Sequence, residues 1–101
     1  MHRITIQYGA PEDPAGFESH YADHHVPLVA ALPGIERFTT ALPRGLTRDA
    51  PYMVAELWFA SVGDLRTALS SEQMTAAGAD AAAFKVASTT IFTSSTDERA
   101  I

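Results

Sequence analysis

Pro27 stands in the middle of a helical pattern, and what it does there constrains the fold more than any other single residue. The pattern starts at Asp13-Pro14, where an aspartate side chain takes up a free amide of the first turn and a proline has no needed amide to lose. It stops at Leu32-Pro33-Gly34. With about 100° of rotation per residue, Phe17, Tyr21, His24, Leu28, Ala31 and Leu32 fall on one face, and Glu18, Ser19 and Asp23 point elsewhere. His25 lies at the edge of that stripe. Pro27 offers no N–H to the carbonyl of Asp23, and its ring crowds the preceding turn. The helix is therefore predicted to bend or open near Asp23 to His25.

The surrounding segments say what this helix packs on. His2 to Tyr8 alternate, with Ile4, Ile6 and Tyr8 on one side and Arg3, Thr5 and Gln7 on the other, as in a half-buried strand. Ile35 to Leu42 reads as a partly exposed strand, and Pro43 to Pro51 as a polar loop. Tyr52 to Ala60 reads as a central strand, Met53, Ala55, Leu57 and Phe59 facing one way and Tyr52, Val54, Glu56 and Trp58 the other. Ser61 caps a helix over Val62 to Leu69, Ser70-Ser71 begins another over Glu72 to Phe84, and Val86 to Ser94 returns to strand composition.

The order is βαββαβ, which defines an α+β, ferredoxin-like fold: a four-stranded antiparallel sheet with helices on one face. Residues 1–101 are read as a single domain with a polar tail over about 95–101. The second sheet face is left uncovered, with Tyr52, Val54 and Trp58 on it. A chain this short buries only about two-thirds of its unfolded surface, so a homodimer through that face is expected.

Composition excludes several functions. The formal charge is −5 and the seven basic residues are scattered, so the counterion-release drive for nucleic-acid binding is missing. With no cysteine there is no disulfide, thiolate ligand or cysteine nucleophile. MHRITIQYGA has no apolar signal core, and no segment approaches the roughly 20 apolar residues that span a bilayer, so a cytoplasmic protein without membrane contact is expected.

His20, His24 and His25 are the chemistry-bearing cluster. His20 and His24 have the i, i+4 spacing of a metal pair, but no third ligand is in view and no metal is predicted. His24 or His25 is either a core histidine bonded to a backbone group freed by Pro27, or a general acid or base in a pocket. Tyr21, one turn before His25, packs in the core or shares a substrate with it. Glu56 either orients an imidazole or lines a dimer interface. Phe17, Leu28, Met53, Trp58, Phe59 and Phe84 line an apolar ligand cavity or form plain core. No Ser-His-Asp order, phosphate loop or dinucleotide fingerprint is present.

Tyr21-x-x-x-His25-x-Pro27-Leu28-Val29, followed by Leu32-Pro33-Gly34-Ile35, resembles the hallmark of the EthD family, named for a protein linked to ethyl tert-butyl ether degradation. Ala55-Glu56-Leu57-Trp58-Phe59-x-Ser61 resembles that family's third strand, and Ser71 through Ala79-Asp80 to Phe84 its second helical region. The resemblance implies a dimeric α/β barrel, two sheet faces packed together, with a cleft between sheet and helices in each subunit. It also implies that His25, with Tyr21 beside it and His24 second, is the cleft histidine. Related barrels include isomerases, monooxygenases and cyclases, so fold alone does not choose a reaction.

The expectation is a small enzyme without cofactor that uses His25 for proton transfer on a hydrophobic or aromatic compound in catabolic or secondary metabolism. The family carries an oxidoreductase association. The alternative is a non-catalytic dimer that binds such a compound, or a haem-like ligand, for a partner enzyme.

Overall fold

Two alternating strands make the centre of the sheet. In the computed structural model, which describes residues 1–101, β1 (His2–Tyr8) runs antiparallel to β3 (Met53–Phe59), with Ile4 opposite Leu57, Ile6 opposite Ala55 and Tyr8 opposite Met53. β2 (Ile35–Ala41) adds to the free edge of β3 and β4 (Thr89–Ser95) to that of β1, both antiparallel, giving the order β2-β3-β1-β4. This is the ferredoxin-like α+β arrangement predicted from the sequence.

The helical layer begins where Asp13 accepts a hydrogen bond from the amide of Gly16 at 3.2 Å. It runs as α1 (Pro14–His20), a π-helical turn (Tyr21–His25) and α2 (Val26–Ala30). Gly34 then turns the chain into β2 at φ 74°, a left-handed conformation that a side chain would strain. α3 (Val62–Leu69) and α4 (Glu72–Ala81) are capped by Ser61 and Ser71, each accepting from an amide three residues on at 3.1 Å. Phe17, Tyr21, Val29, Leu32, Leu65, Ala68 and Ala77 from these helices join Ile4, Tyr8, Met53, Ala55, Leu57 and Phe59 in one buried core.

The turn at Tyr21–His25 corrects the straight-helix reading. The Val26 amide bonds back to the carbonyl of Tyr21, five residues earlier rather than four, so one extra residue is accommodated in the helix. Pro27, with no amide to bond Asp23 and a ring that crowds that carbonyl, keeps the tighter turn from closing. Everything after the turn is rotated by about one residue position. His25 and Val29 therefore take the buried places that the wheel assigned to His24 and Leu28, while His24 is exposed and Leu28 half-buried.

Three element boundaries also differ. β4 begins at Thr89, not Val86, because Val86 bridges Pro11 in the loop beyond β1. α4 ends at Ala81, and the chain leaves the helix axis so that Phe84 packs on Phe17 at 5.2 Å between ring centroids. Tyr52 lies before β3. Its ring meets Phe17 edge-on and its hydroxyl donates to Glu18, so it belongs to the helix side and not to the uncovered sheet face.

That uncovered face carries Trp58, with the guanidinium groups of Arg3 and Arg37 over its ring at 5.2 and 5.5 Å. Arg3 also pairs with Glu56 at 2.8 Å.

Candidate functional site

The site is built from three elements. Tyr8 comes from the end of β1, His25 from the π-helical turn and Asp80 from the last turn of α4. His25 is only 2% exposed. Its Nδ1 lies 2.9 Å from Oδ2 of Asp80, and the other carboxylate oxygen, Oδ1, lies 2.8 Å from Nε2 of His20. An ionised carboxylate only accepts, so each imidazole donates to it, and His25 is fixed as the Nδ1–H tautomer with Nε2 left as a bare acceptor.

Burial pulls the pKa of His25 below the usual 6.5, against the opposing pull of the hydrogen bond and charge of Asp80. Burial pushes the Asp80 carboxyl up, but the hydrogen bonds from His20 and His25 and their charges outweigh it, and the net shift is downward. At neutral pH the pair is thus a neutral imidazole on a carboxylate. Such an arrangement is chemically competent as a base: proton uptake at Nε2 would create an imidazolium already facing an anion.

His25 sits at a cleft of about 80 Å³ between the outer part of the sheet and α4. Its walls are apolar: Ile6, Leu57 and Ile91 from strands, Val29 and Leu32 from the first helical unit, and Met74, Ala77, Gly78 and Ala81 from α4. The small residues of α4 leave the space open, and a side-chain carbon added at Gly78 would meet no atom within 4 Å. Tyr8 also lines the cleft, its phenol pushed up to about 12 by burial, so it stays protonated and able to donate.

Several sequence candidates sit elsewhere. Tyr21 is behind His25, ring centroids 4.9 Å apart, and does not line the cleft. Its hydroxyl is buried beside that of Tyr8, and burial raises its pKa strongly. His24 is exposed and lies against His20, ring centroids 4.9 Å apart, outside the cleft. Phe17 and Phe84 close the aromatic cluster around Tyr8 and line a separate, more polar groove with His20. Met53 and Phe59 are core residues, Leu28 packs against that core, and Trp58 is on the opposite sheet face. Glu56 pairs with Arg3 there, far in the sheet from His25. No three His, Cys, Asp or Glu side chains cluster as a metal site would need.

Sequence reasoning missed Tyr8, Asp80 and the small-residue wall. One signal was available: Asp80 is the single charged residue in the run Thr75 to Phe84, otherwise Ala, Gly, Thr and Phe. A carboxylate with only small neighbours on a helix is well placed to reach a buried partner.

Fold and site together define a class: small ferredoxin-like α+β proteins with a histidine–carboxylate pair at an apolar cleft. Within that class the EthD domain model matches residues 10–87, and the chain belongs to the EthD family, as the Tyr21, His25 and Pro27 pattern indicated. A protein of 11.0 kDa in the thcB–thcC intergenic region of Rhodococcus erythropolis is 40% identical over 86 residues, covering 83% of this chain and 84% of that one. An EthD family protein from Bacillus halodurans superposes with a TM-score of 0.84 at 24% identity, covering 96% and 99% of the two chains. SnoaB of Streptomyces nogalater, a cofactor-independent oxygenase, superposes at 0.73 with 18% identity over 97% and 94%. A dimeric ferredoxin-like protein from Thermobifida fusca superposes at 0.74 with 14% identity over 94% and 90%. At these identities the structural matches speak for the fold. No helix of the chain is long and apolar enough to cross a membrane.

Proposed function

We propose that this protein is a cofactor-independent enzyme that transfers a proton to or from a small hydrophobic or aromatic molecule, with His25 as the general base. The observation that carries this reading is the buried imidazole held on Asp80 through Nδ1, with an unbonded Nε2 at an apolar cleft. Structural packing alone does not require a carboxylate on one side of a core histidine and a cavity beside it. Tyr8, protonated at neutral pH, is the candidate donor to a carbonyl or phenol oxygen as the charge moves onto it.

The volume limits the substrate. The cleft is small, about 80 Å³. The reacting edge of a flat molecule fits, and the remainder lies across Ile91, which is 62% exposed at the mouth. A haem-like macrocycle is far larger, which favours the enzyme reading over a haem-binding one. The membership in the EthD family and the fold shared with SnoaB support a small-molecule role in which oxygenase, isomerase or cyclase chemistry all begin with removal of a proton. We further propose a homodimer through the uncovered sheet face, supported by the dimeric neighbour of the same fold.

Solvent-deuterium uptake by a panel of aromatic ketones and phenols tests the base. The wild type is expected to accelerate exchange for at least one compound that it binds. His25→Asn keeps a donor toward Asp80 and removes Nε2, so it should bind that compound and lose roughly 100-fold or more of the exchange rate. Exchange undiminished in His25→Asn would refute the assignment.

A further inference from the structure

Asp80 is shared between two environments. Through Oδ2 it holds His25 at the apolar cleft, and through Oδ1 it holds His20, whose side chain is 43% exposed in a more polar groove between α1 and the segment after α4. His20 plays no part in the cleft itself. From this geometry we propose that His20 is a positioning residue for the His25 base: its hydrogen bond fixes the Asp80 carboxylate, and the fixed carboxylate in turn dictates the His25 tautomer. The proposal rests on the reading of His25 as the base.

The chemistry is one of lone pairs and rotation. The Asp80 carboxylate, in the last turn of α4, has one imidazole donor on each oxygen, and this pair of hydrogen bonds defines its plane. With a donor on Oδ1, its rotation costs a charge-assisted hydrogen bond; without one, the carboxylate turns toward water. His25 would then lose the reason to keep its proton on Nδ1, and part of the population would place it on Nε2, the atom that must be bare for base chemistry. A proton on His20 also sets a positive charge on the far side of the same carboxylate, and this opposes a second positive charge on His25. The other ionisable groups in reach are few. Tyr8 and Tyr21 face His25, His24 lies against His20, and Glu12, Asp13 and Lys85 line the groove. The direct hydrogen bonds to Asp80 come from the two histidines alone.

Ring ¹⁵N spectra of the histidines report the tautomer without any substrate. The wild type is expected to show His25 as Nδ1–H only. His20→Ala should shift the His25 ring nitrogens toward a mixture of tautomers, and His20→Gln, whose amide can donate from the position of Nε2, should restore the single tautomer. A His25 tautomer unchanged in His20→Ala would overturn the positioning role, as would a mixture that His20→Gln does not repair. Asp80→Ala separates this from the parent reading. If His25 keeps its tautomer even there, the histidine–aspartate pair is not what sets it and the positioning role fails, while the base reading is decided separately by the exchange rate of His25→Asn; if the tautomer is lost there and kept in His20→Ala, only the role of His20 fails.

Discussion

A histidine with 2% of its surface exposed is a stability element whatever else it does. Burial holds its pKa below 6.5, so on acidification the unfolded chain takes up a proton at this residue before the folded one does. Stability conferred by the neutral ring is therefore complete above the unfolded value and is lost as pH falls from there through the folded value. Asp80, whose folded pKa is also lowered, adds a loss of the same sign in the lower window beneath 3.8. Thermal melts should show the midpoint falling as pH drops below about 6.5, and His25→Asn should flatten that upper step and keep the carboxylate step. A wild-type melting temperature that rises through the upper window would contradict the direction. At this scale the sequence was half legible. His25 stood out by its motif, but its partner lay 55 residues away in a helix of alanines, and no local pattern links the two.

At the scale of elements, alternation is a strong signal and rotation a fragile one. β1 and β3 alternate so cleanly that their faces could be read from residue types, and the aspartate and the two capping serines marked the starts of α1, α3 and α4. The helical stripe was read one residue wrong after Tyr21, because a wheel assumes constant rotation and a π-helical turn breaks it. The wheel located the buried position and named the wrong occupant. This has a consequence for a deletion. Removing the exposed His24 should bring the Val26 amide back to four-residue spacing from Tyr21 and leave Phe17, Tyr21, His25, Val29 and Leu32 on one stripe, with His25 still facing Asp80 and Pro27 still leaving one carbonyl of the turn without an amide. The deletion variant is expected to fold, with far-ultraviolet circular dichroism near that of the wild type and a cost of no more than about 1–2 kcal/mol in denaturant unfolding. In a regular helix the same deletion would turn every later residue by about 100° and expose the core. Collapse of the fold would show that the extra residue is required rather than accommodated.

The whole molecule is a slab of 38 × 36 × 18 Å. Its short dimension matches one sheet and one helix layer, packed at about 10 Å. Nothing in the chain covers the second sheet face, where Val54 and Trp58 are half-buried and Phe92 is 41% exposed. The indole nitrogen of Trp58 and the hydroxyl of Thr5 are both buried there without hydrogen bonds, beside Arg3, Glu56 and Ser94, which are bonded to one another. A second copy laid on this face would bury the apolar side chains. Because Trp58 is the single tryptophan, its fluorescence reports on this surface alone. On dilution its emission is expected to shift to longer wavelength in step with a fall in sedimenting mass from dimer to monomer. Phe92→Glu, which puts a carboxylate into the apolar face of each copy, should give the monomer and the shifted emission at concentrations where the wild type is expected to be dimeric. The histidine spectra of that variant complete the test. His25 and Asp80 lie on the other side of the sheet, so the Nδ1–H signature should persist in the monomer, and its loss would mean that the site depends on the partner after all.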